Sequence, residues 1–168
     1  MAMTGRWMCL AAAAFWAVSV AKLHADDAAG RFVEAAYASA LFQARISSIA
    51  AAKDPRPGIK VLAERVRDFR TAQLPELARL AATAGVEVRD TLDLELRSIV
   101  ENIEPLDYLA LSRRYAEVET QALGREIAAY EDATRSEAQP VREYAAATLE
   151  RLRDLSKAAR AELAAVAP

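Results

Sequence analysis

The residue types that most often carry out catalysis or bind transition metals are confined to one end of this chain. Its one histidine, one cysteine, three methionines and two tryptophans all lie within the first 24 of 168 residues. Imidazoles and thiolates supply most transition-metal sites and most nucleophile–base pairs. Chemistry in the rest of the chain would have to use carboxylates, guanidinium groups and hydroxyls. This composition excludes most metal enzymes and most covalent catalysts.

The remaining polar residues form no other catalytic motif. The glycines beyond residue 24 are isolated from one another, so the chain has no glycine-rich loop that could cradle a phosphate. Ser156 and Lys157 are neighbours in a predicted helix and point away from each other, which excludes a paired nucleophile and base. Carboxylates alone could still form a Ca²⁺ or Mn²⁺ site. We predict no catalytic residue and no cofactor, and we expect that the protein is not an enzyme.

Opposite charges are finely interspersed along the chain. The 22 basic and 24 acidic residues give a formal net charge of −2, and no long block of one sign occurs. Arg65, Arg67 and Arg70 could bind an anion together. Because Glu64 and Asp68 lie among them, ordinary surface ion pairs are the simpler expectation. The charge pattern is typical of a solvated surface and predicts no binding to nucleic acid.

The first 25 residues have the order of an export signal. Arg6 precedes an apolar run from Trp7 to Ala21, which is followed by Lys22 and then by acidic residues. This is the order of the basic, apolar and cleavage regions of a Sec-type signal peptide. Cleavage is expected after Ala21 or Ala25. The apolar run is shorter than the roughly 20 residues that cross a bilayer, so we favour a cleaved signal over a membrane anchor.

Export would place residues 26–168 in the periplasm as a single domain with no stable membrane span. The alternatives are secretion, or an uncleaved N-terminal membrane anchor. Residues 26–168 contain no cysteine, so the stability of this domain must come from packing in an oxidising compartment.

Beyond the signal, apolar residues recur at the three- and four-residue steps of amphipathic helices. We predict long helices over residues 28–53, 57–84, 104–136 and 139–166, with a short helix in the 86–104 connector. Proline and glycine mark the helix ends near Pro57 and Gly85, and Pro75 predicts a kink or a π-type irregularity. Two helix pairs joined by a longer crossover predict an all-α, ferritin-like four-helix bundle.

Three short segments resemble a known family of exported bacterial proteins. They lie at Phe32–Ala36 on the first helix, at Leu80–Val86 at the end of the second, and at Thr148–Arg153 on the fourth. The family is catalogued as domain of unknown function 4142, and the resemblance extends over nearly all of residues 26–168. It implies export and a fold similar to that of ferritins, and it implies no settled activity.

The same resemblance implies a metal-capable core that this chain has lost. Typical members carry an acid followed by a histidine on each of the second, third and fourth helices, and often a glutamate on the first. This chain keeps each acid, has an apolar residue in place of each histidine, and has an arginine in place of the glutamate. The degenerate site candidates are Asp68 and Phe69, Glu117 and Val118, Asp154 and Leu155, and Arg45.

Two interpretations of these positions remain open. In the first, Phe69, Val118 and Leu155 converge in the core and refill a former metal cavity with close packing. The permanent charge of Arg45 then replaces the cation beside one of the retained acids. In the second, the acids are solvated neighbours of ordinary core residues, and Arg45 pairs with carboxylates at the surface.

For function, we predict an exported, non-catalytic helical-bundle protein of the bacterial envelope that binds an unknown protein or envelope component. The alternative is a ferritin-like, metal-dependent or redox enzyme of the stress response. A ferritin-type di-iron centre needs two Glu-x-x-His pairs, and His24 is the one histidine in the chain. The residues therefore favour the binding protein.

Overall fold

The structure, a computed structural model, describes the backbone of residues 10–167 and the side chains of residues 27–167. This part of the chain is all α-helical and contains no strand. It forms four long helices and one short one. They are α1 (Leu10–Lys53), α2 (Pro57–Ala84), α3 (Leu94–Ile103), α4 (Tyr108–Ala133) and α5 (Gln139–Ala165). The prediction of an all-α protein with a short helix between the second and third long helices is confirmed.

The boundaries of α2 follow from local chemistry. Pro57 is the first residue of the helix, where its missing N–H costs no hydrogen bond and its fixed φ suits the helix. At the other end, Gly85 has φ +68°, and the Val86 N–H donates to the Ala81 carbonyl oxygen at 2.9 Å. This is the glycine-dependent C-terminal cap of a Schellman motif. The predicted ends at residues 57 and 84 are confirmed.

At Pro75 α2 continues as α-helix, so the π-type alternative predicted there is absent. Two predicted helix starts are wrong. The first helix begins at Leu10 and not at residue 28. Glu104 and Pro105 do not open the third long helix. The Glu104 N–H instead closes α3 by donating to the Val100 carbonyl oxygen at 2.9 Å, and the next helix starts at Tyr108.

The turn between α3 and α4 is held from outside by the end of α1. Lys53 Nζ donates to the carbonyl oxygens of Glu104 at 2.7 Å and Leu106 at 2.9 Å, and it lies 3.2 Å from an Asp107 carboxylate oxygen. Tyr108 begins α4 with φ +50°, a left-handed conformation that bulky residues rarely adopt. These contacts fix a turn where the local sequence favours a helix start.

The four long helices pack around a common apolar core. α1 packs along α2 and α4 packs along α5, while α1 also contacts α4 and α2 also contacts α5. Each long helix contributes fully buried aliphatic side chains. Examples are Val33, Ile46, Val66, Leu77, Leu111, Leu123, Leu152 and Leu155. We refer to α1, α2, α4 and α5 together as the helical core.

The connector between α2 and α4 is attached to α1. The Tyr37 hydroxyl donates to the Asp90 carboxylate, and an Arg45 Nη donates to the Asp90 carbonyl oxygen at 3.1 Å. α3 then lies against α1 and, more lightly, against α4. No helix whose side chains are described has the length and apolar character needed to cross a membrane.

Candidate functional site

The predicted site residues on α1 and α2 do not meet in the core. Arg45 is exposed and donates a hydrogen bond to the Asp90 carbonyl oxygen in the connector between α2 and α4. Asp68 is exposed and pairs with its neighbour Arg67 at 2.8 Å. Phe69 is half-buried, with the Arg151 guanidinium 5.8 Å from its ring centroid. Arg45 therefore directs no charge at either Asp68 or Glu117 from inside the helical core.

On α4 and α5, the predicted apolar residues are buried and the predicted acidic residues are not. Val118 and Leu155 are buried, as core-filling residues should be. Glu117 is half-exposed with an Arg114 nitrogen 3.7 Å away, and Asp154 is exposed. All three retained acids thus lie at or near the surface, as the second interpretation expects. Arg45 differs from that interpretation, because it binds the Asp90 backbone carbonyl oxygen and not a surface carboxylate.

A buried polar cluster lies instead between α1, α2 and α4, and an arginine is at its centre. Arg70 is 0% exposed and Glu126 is 6% exposed, and their side chains form an ion pair across α2 and α4. Gln43 on α1 and Gln73 on α2 are also buried against them. Arg70 was expected to pair at the surface, and that expectation is wrong. We call these four residues the arginine cluster.

The guanidinium of Arg70 is enclosed by oxygen acceptors. Its Nη2 donates to Gln43 Oε1 at 2.7 Å and to Glu126 Oε2, while its Nη1 donates to Gln73 Oε1 at 2.6 Å and to Glu126 Oε1 at 3.1 Å. Gln43 Nε2 in turn donates to Glu126 Oε2 at 3.0 Å. A buried charge is tolerated only when it is paired and hydrogen-bonded, and here both conditions are met.

Hydroxyl groups extend the arginine cluster along the core. Gln73 Nε2 donates to the Tyr130 hydroxyl at 3.0 Å. The Tyr115 and Ser47 hydroxyls are 3.0 Å apart and share one hydrogen bond. Burial raises the pKa of Tyr115 well above its usual range, so this hydroxyl is neutral. These bonds satisfy buried tyrosine tips that would otherwise lack partners.

Glu119 is the one member of this region whose carboxyl group is not hydrogen-bonded within the part of the chain that the structure describes. It is 0% exposed, and neither carboxyl oxygen has a partner. Burial raises its pKa to about 8, with the nearby Glu126 charge adding to the rise and Arg70 opposing it. Glu119 is therefore protonated at neutral pH, which limits the cost of burying it.

The charge balance of the core does not favour a metal ion. Arg70 supplies a permanent positive charge, Glu126 compensates it, and Glu119 carries a proton. Among residues 27–167, no group of three or more histidine, cysteine, aspartate or glutamate side chains is placed to hold a metal ion. A cation at this position would have to displace a guanidinium that already occupies the oxygen acceptors.

A second feature is a groove of about 700 Å³ between α1, α3 and α4. Its walls are rich in alanine, and Phe32 and Tyr130 lie side by side in it with their ring centroids 4.9 Å apart. Leu96 and Ile99 line it from α3, and Glu126 reaches it from the arginine cluster. The size and the mainly apolar lining are typical of small-molecule sites. We call it the α1–α3–α4 groove.

The fold and these two features define an all-α protein with an arginine ion pair at the centre of its core and an apolar groove on its side. Residues 16–161 match the sequence pattern of the family described as a domain of unknown function (DUF4142). The chain belongs to this family, as the short motifs indicated. No match was found among curated proteins or among solved structures.

Sequence reasoning missed the arginine cluster although a signal for it was present. Gln73 lies on the predicted apolar stripe of α2, and Arg70 lies one turn after Val66 on the same stripe. On α4, Glu119 and Glu126 lie at helical steps between Tyr115 and Tyr130, all of them buried. Charged residues interrupting an apolar stripe on two helices are a signal for a buried ion pair.

Proposed function

We propose that this protein is an exported, non-catalytic four-helix bundle of ferritin-like type that acts by binding another component of the bacterial envelope. The observation that carries this proposal is the position of Arg70. Its guanidinium lies among acceptor oxygens contributed by α1, α2 and α4, the region in which a ferritin-like enzyme would assemble metal ligands. A divergent member of the family would thereby keep the bundle and give up the metal.

The arginine cluster supports a structural role for the polar centre. The guanidinium of Arg70 pairs with the Glu126 carboxylate inside the core. The protonated Glu119 carboxyl is sealed from solvent, and no described side chain hydrogen-bonds to it. Arg70 and Glu126 hold α2 and α4 together, and the α1–α3–α4 groove is a concave surface that is open to a ligand.

The envelope location rests on the N-terminal signal. The basic, apolar and cleavage regions precede residue 26, and the domain that would follow needs no cysteine. Periplasmic residence is the simplest consequence, with secretion or an N-terminal anchor as the alternatives.

Metal analysis of the purified full chain tests the proposal against the ferritin-like alternative. We expect no stoichiometric iron or manganese by plasma mass spectrometry, and no saturable heat on titration with Mn²⁺ or Fe²⁺. An Arg70→Gln variant, which removes the guanidinium but keeps the carboxylates, is the matched comparison. One tightly bound iron or manganese per wild-type chain would overturn the proposal in favour of a metal-dependent enzyme.

A further inference from the structure

The arginine cluster uses every donor of Arg70, and Glu119 receives none of them. A guanidinium has five N–H groups. Two of them donate to Gln43 Oε1, one to Gln73 Oε1 and two to the Glu126 carboxylate. Glu119 is 0% exposed, and within the described residues neither of its oxygens is hydrogen-bonded. A fully buried carboxyl group therefore lies near a guanidinium whose hydrogen bonds are all taken.

Arg70 is the buried counter-charge for an ionised Glu119. Within the described residues it is the one lysine or arginine that is buried. It acts to lower the pKa of Glu119, whereas the charge of Glu126 acts to raise it. Burial keeps the tyrosines near the cluster neutral by raising their pKa, and these are Tyr115 and Tyr130 on α4 and Tyr144 on α5. The buried polar side chains of α1 and α5 are uncharged, and they are Gln43, Ser47, Thr148 and Ser156. α3 buries Ile103 alone.

The two hydrogen bonds from Arg70 to Gln43 are the ones that an ionised Glu119 would take. Glu126 keeps its bonds because it is itself a carboxylate. Gln73 keeps its bond because it follows Arg70 by three residues on α2 and holds Nη1 at 2.6 Å. Gln43 reaches across from α1 with one neutral oxygen, at 2.7 Å from Nη2 and 3.2 Å from Nε. A full negative charge attracts a guanidinium more strongly than an amide dipole does.

Gln43 connects the arginine cluster to the α1–α3–α4 groove. Its Nε2 donates to Ser39 Oγ at 2.9 Å and to Glu126 Oε2 at 3.0 Å, and Ser39 and Glu126 both line the groove. A buried amide oxygen that loses Arg70 needs another donor, because an unpaired buried acceptor is costly. The Ser39 hydroxyl can donate as well as accept. A displaced Gln43 amide would therefore turn its oxygen toward Ser39.

We propose that Glu119 and Arg70 form a proton-operated switch in the core. Loss of the Glu119 proton to solvent transfers the two Arg70 hydrogen bonds of Gln43 to the Glu119 carboxylate. Gln43 then turns its amide oxygen toward Ser39, so the polar part of the groove wall changes with pH. This inference goes beyond the proposed function, since it depends neither on export nor on what the protein binds.

Nuclear magnetic resonance of the purified full chain tests the switch directly. Labelling with ¹³C at the side-chain carbonyl carbon of glutamine gives four signals, because the chain has four glutamines. We expect the Gln43 signal to shift between pH 6 and pH 10 with a midpoint near pH 8, as Glu119 ionises. The Gln73 signal should shift much less. The signals of Gln121 and Gln139, which are exposed, should not shift.

Two matched variants show whether Glu119 is the group that drives the change. Glu119→Gln cannot ionise, so its Gln43 signal should stay constant over the whole range of pH. Glu150→Gln also adds one glutamine, at an exposed position on α5, and its Gln43 signal should shift as in wild type.

Gln43→Leu tests the exchange of hydrogen bonds itself. This variant leaves two Arg70 donors free, so an ionised Glu119 displaces no acceptor. The Glu119 titration midpoint should fall by at least about one pH unit, the equivalent of one hydrogen bond to a charged group. The midpoint is read from the ¹³C carboxyl signal that is missing in Glu119→Gln. If Gln43 acted through packing alone, its replacement by leucine would leave the midpoint unchanged or raise it.

Four outcomes would overturn the inference. One is a Glu119 that stays protonated up to pH 10, and another is a Gln43 signal that stays constant while Glu119 ionises. The third is an equal shift of Gln43 and Gln73, which would indicate a general opening of the core. The fourth is a folded Gln43→Leu variant whose midpoint does not fall. If thermal unfolding shows that this variant is not folded, the glutamine signals of wild type and Glu119→Gln decide the matter.

Discussion

A guanidinium withdrawn from water has to be surrounded by acceptors, and Arg70 shows how three helices meet this requirement. Gln43 and Glu126 reach it from α1 and α4, and Gln73 reaches it from the next turn of α2. Two amides and one carboxylate compensate the charge and also fix the orientation of the planar group. At the residue scale, the core is specified by this bonding pattern as well as by apolar packing.

The ion pair should behave as a unit when it is mutated. Arg70→Met leaves Glu126 buried without a counter-charge and should lower the free energy of unfolding by about 3–5 kcal/mol. Arg70→Met/Glu126→Met removes both charges and should recover most of that loss, since paired replacement by apolar residues is often close to neutral. Urea denaturation of Arg70→Met, Glu126→Met and the double variant measures the coupling free energy between the two side chains. Additive single losses would show that the two charges do not act together.

Glu119 should make stability depend on pH in a predictable direction. Its pKa is about 8 in the folded protein against 4.5 for an ordinary glutamate. Between these values the unfolded chain releases a proton that the folded chain keeps. The contribution of Glu119 to the free energy of unfolding is therefore greatest below pH 4.5. It falls by up to about 1.4 kcal/mol per pH unit as the pH rises toward 8.

Glu119→Gln should remove this dependence, because the amide has the shape of the protonated carboxyl and does not titrate. Urea midpoints from pH 5 to pH 8 should show wild type losing stability relative to the variant. Glu150→Gln, at an exposed position on α5, should follow wild type throughout. If the urea midpoints of wild type and Glu119→Gln changed with pH in parallel, the Glu119 carboxyl would not have a raised pKa.

At the scale of the helix, two glycines have opposite conformational requirements. Gly85 ends α2 with φ +68°, whereas Gly124 lies inside α4 with an ordinary helical backbone. Apart from the adjoining residues and the nearby backbone of the same helix, no heavy atom lies within 4 Å of the position that a Cβ would take at either residue. The two sites therefore differ in backbone conformation and not in available space.

Replacing each glycine by alanine should change the free energy of unfolding in opposite directions. Gly85→Ala should lower the free energy of unfolding by about 1–2 kcal/mol, because an L-residue is strained in the left-handed region. Gly124→Ala should raise it by about 0.5–1 kcal/mol, because alanine loses less backbone entropy in a helix. Thermal unfolding followed by circular dichroism measures both. A stabilised Gly85→Ala variant would contradict the cap described for α2.

At the scale of the whole molecule, the crossover between the two helix hairpins determines where the α1–α3–α4 groove lies. The connector is fastened to the middle of α1 through Asp90 and to its end through Lys53. α3 is thereby held beside α1 and α4 with a single fully buried residue, Ile103. A short helix attached mainly at its ends leaves an apolar groove beneath it.

The predicted signal peptide can be tested on the intact molecule. If residues 1–25 are a cleaved signal, we expect residues before about Asp26 to lie apart from the core and neither Trp7 nor Trp16 to be buried in it. The side chains of both tryptophans lie outside the described residues, so this stays a prediction. Expression of the full chain in a Gram-negative bacterium should yield a periplasmic protein that begins at Lys22 or Asp26. Intact mass spectrometry of the fractionated protein identifies the first residue. A full-length, membrane-retained product would support the N-terminal anchor instead.

The sequence alone determined the helical class and most helix boundaries of this protein. Pro57, Gly85 and the Gln139–Pro140 start act through their own backbone preferences, so their effects are local and can be read from neighbouring residues. The same locality explains the misplaced start of the third long helix. Glu104 and Pro105 resemble a helix opening, and the contact with Lys53 that makes them a turn comes from 51 residues away.

Tertiary structure alone decided which charged residues lie inside. The family resemblance directed attention to Arg45, Asp68 and Asp154, and all three are at the surface. Arg70 is buried because Gln43, 27 residues before it, and Glu126, 56 residues after it, supply its acceptors. A helical pattern predicts which face of a helix turns inward, but the pairing of a buried charge depends on residues that only packing brings together.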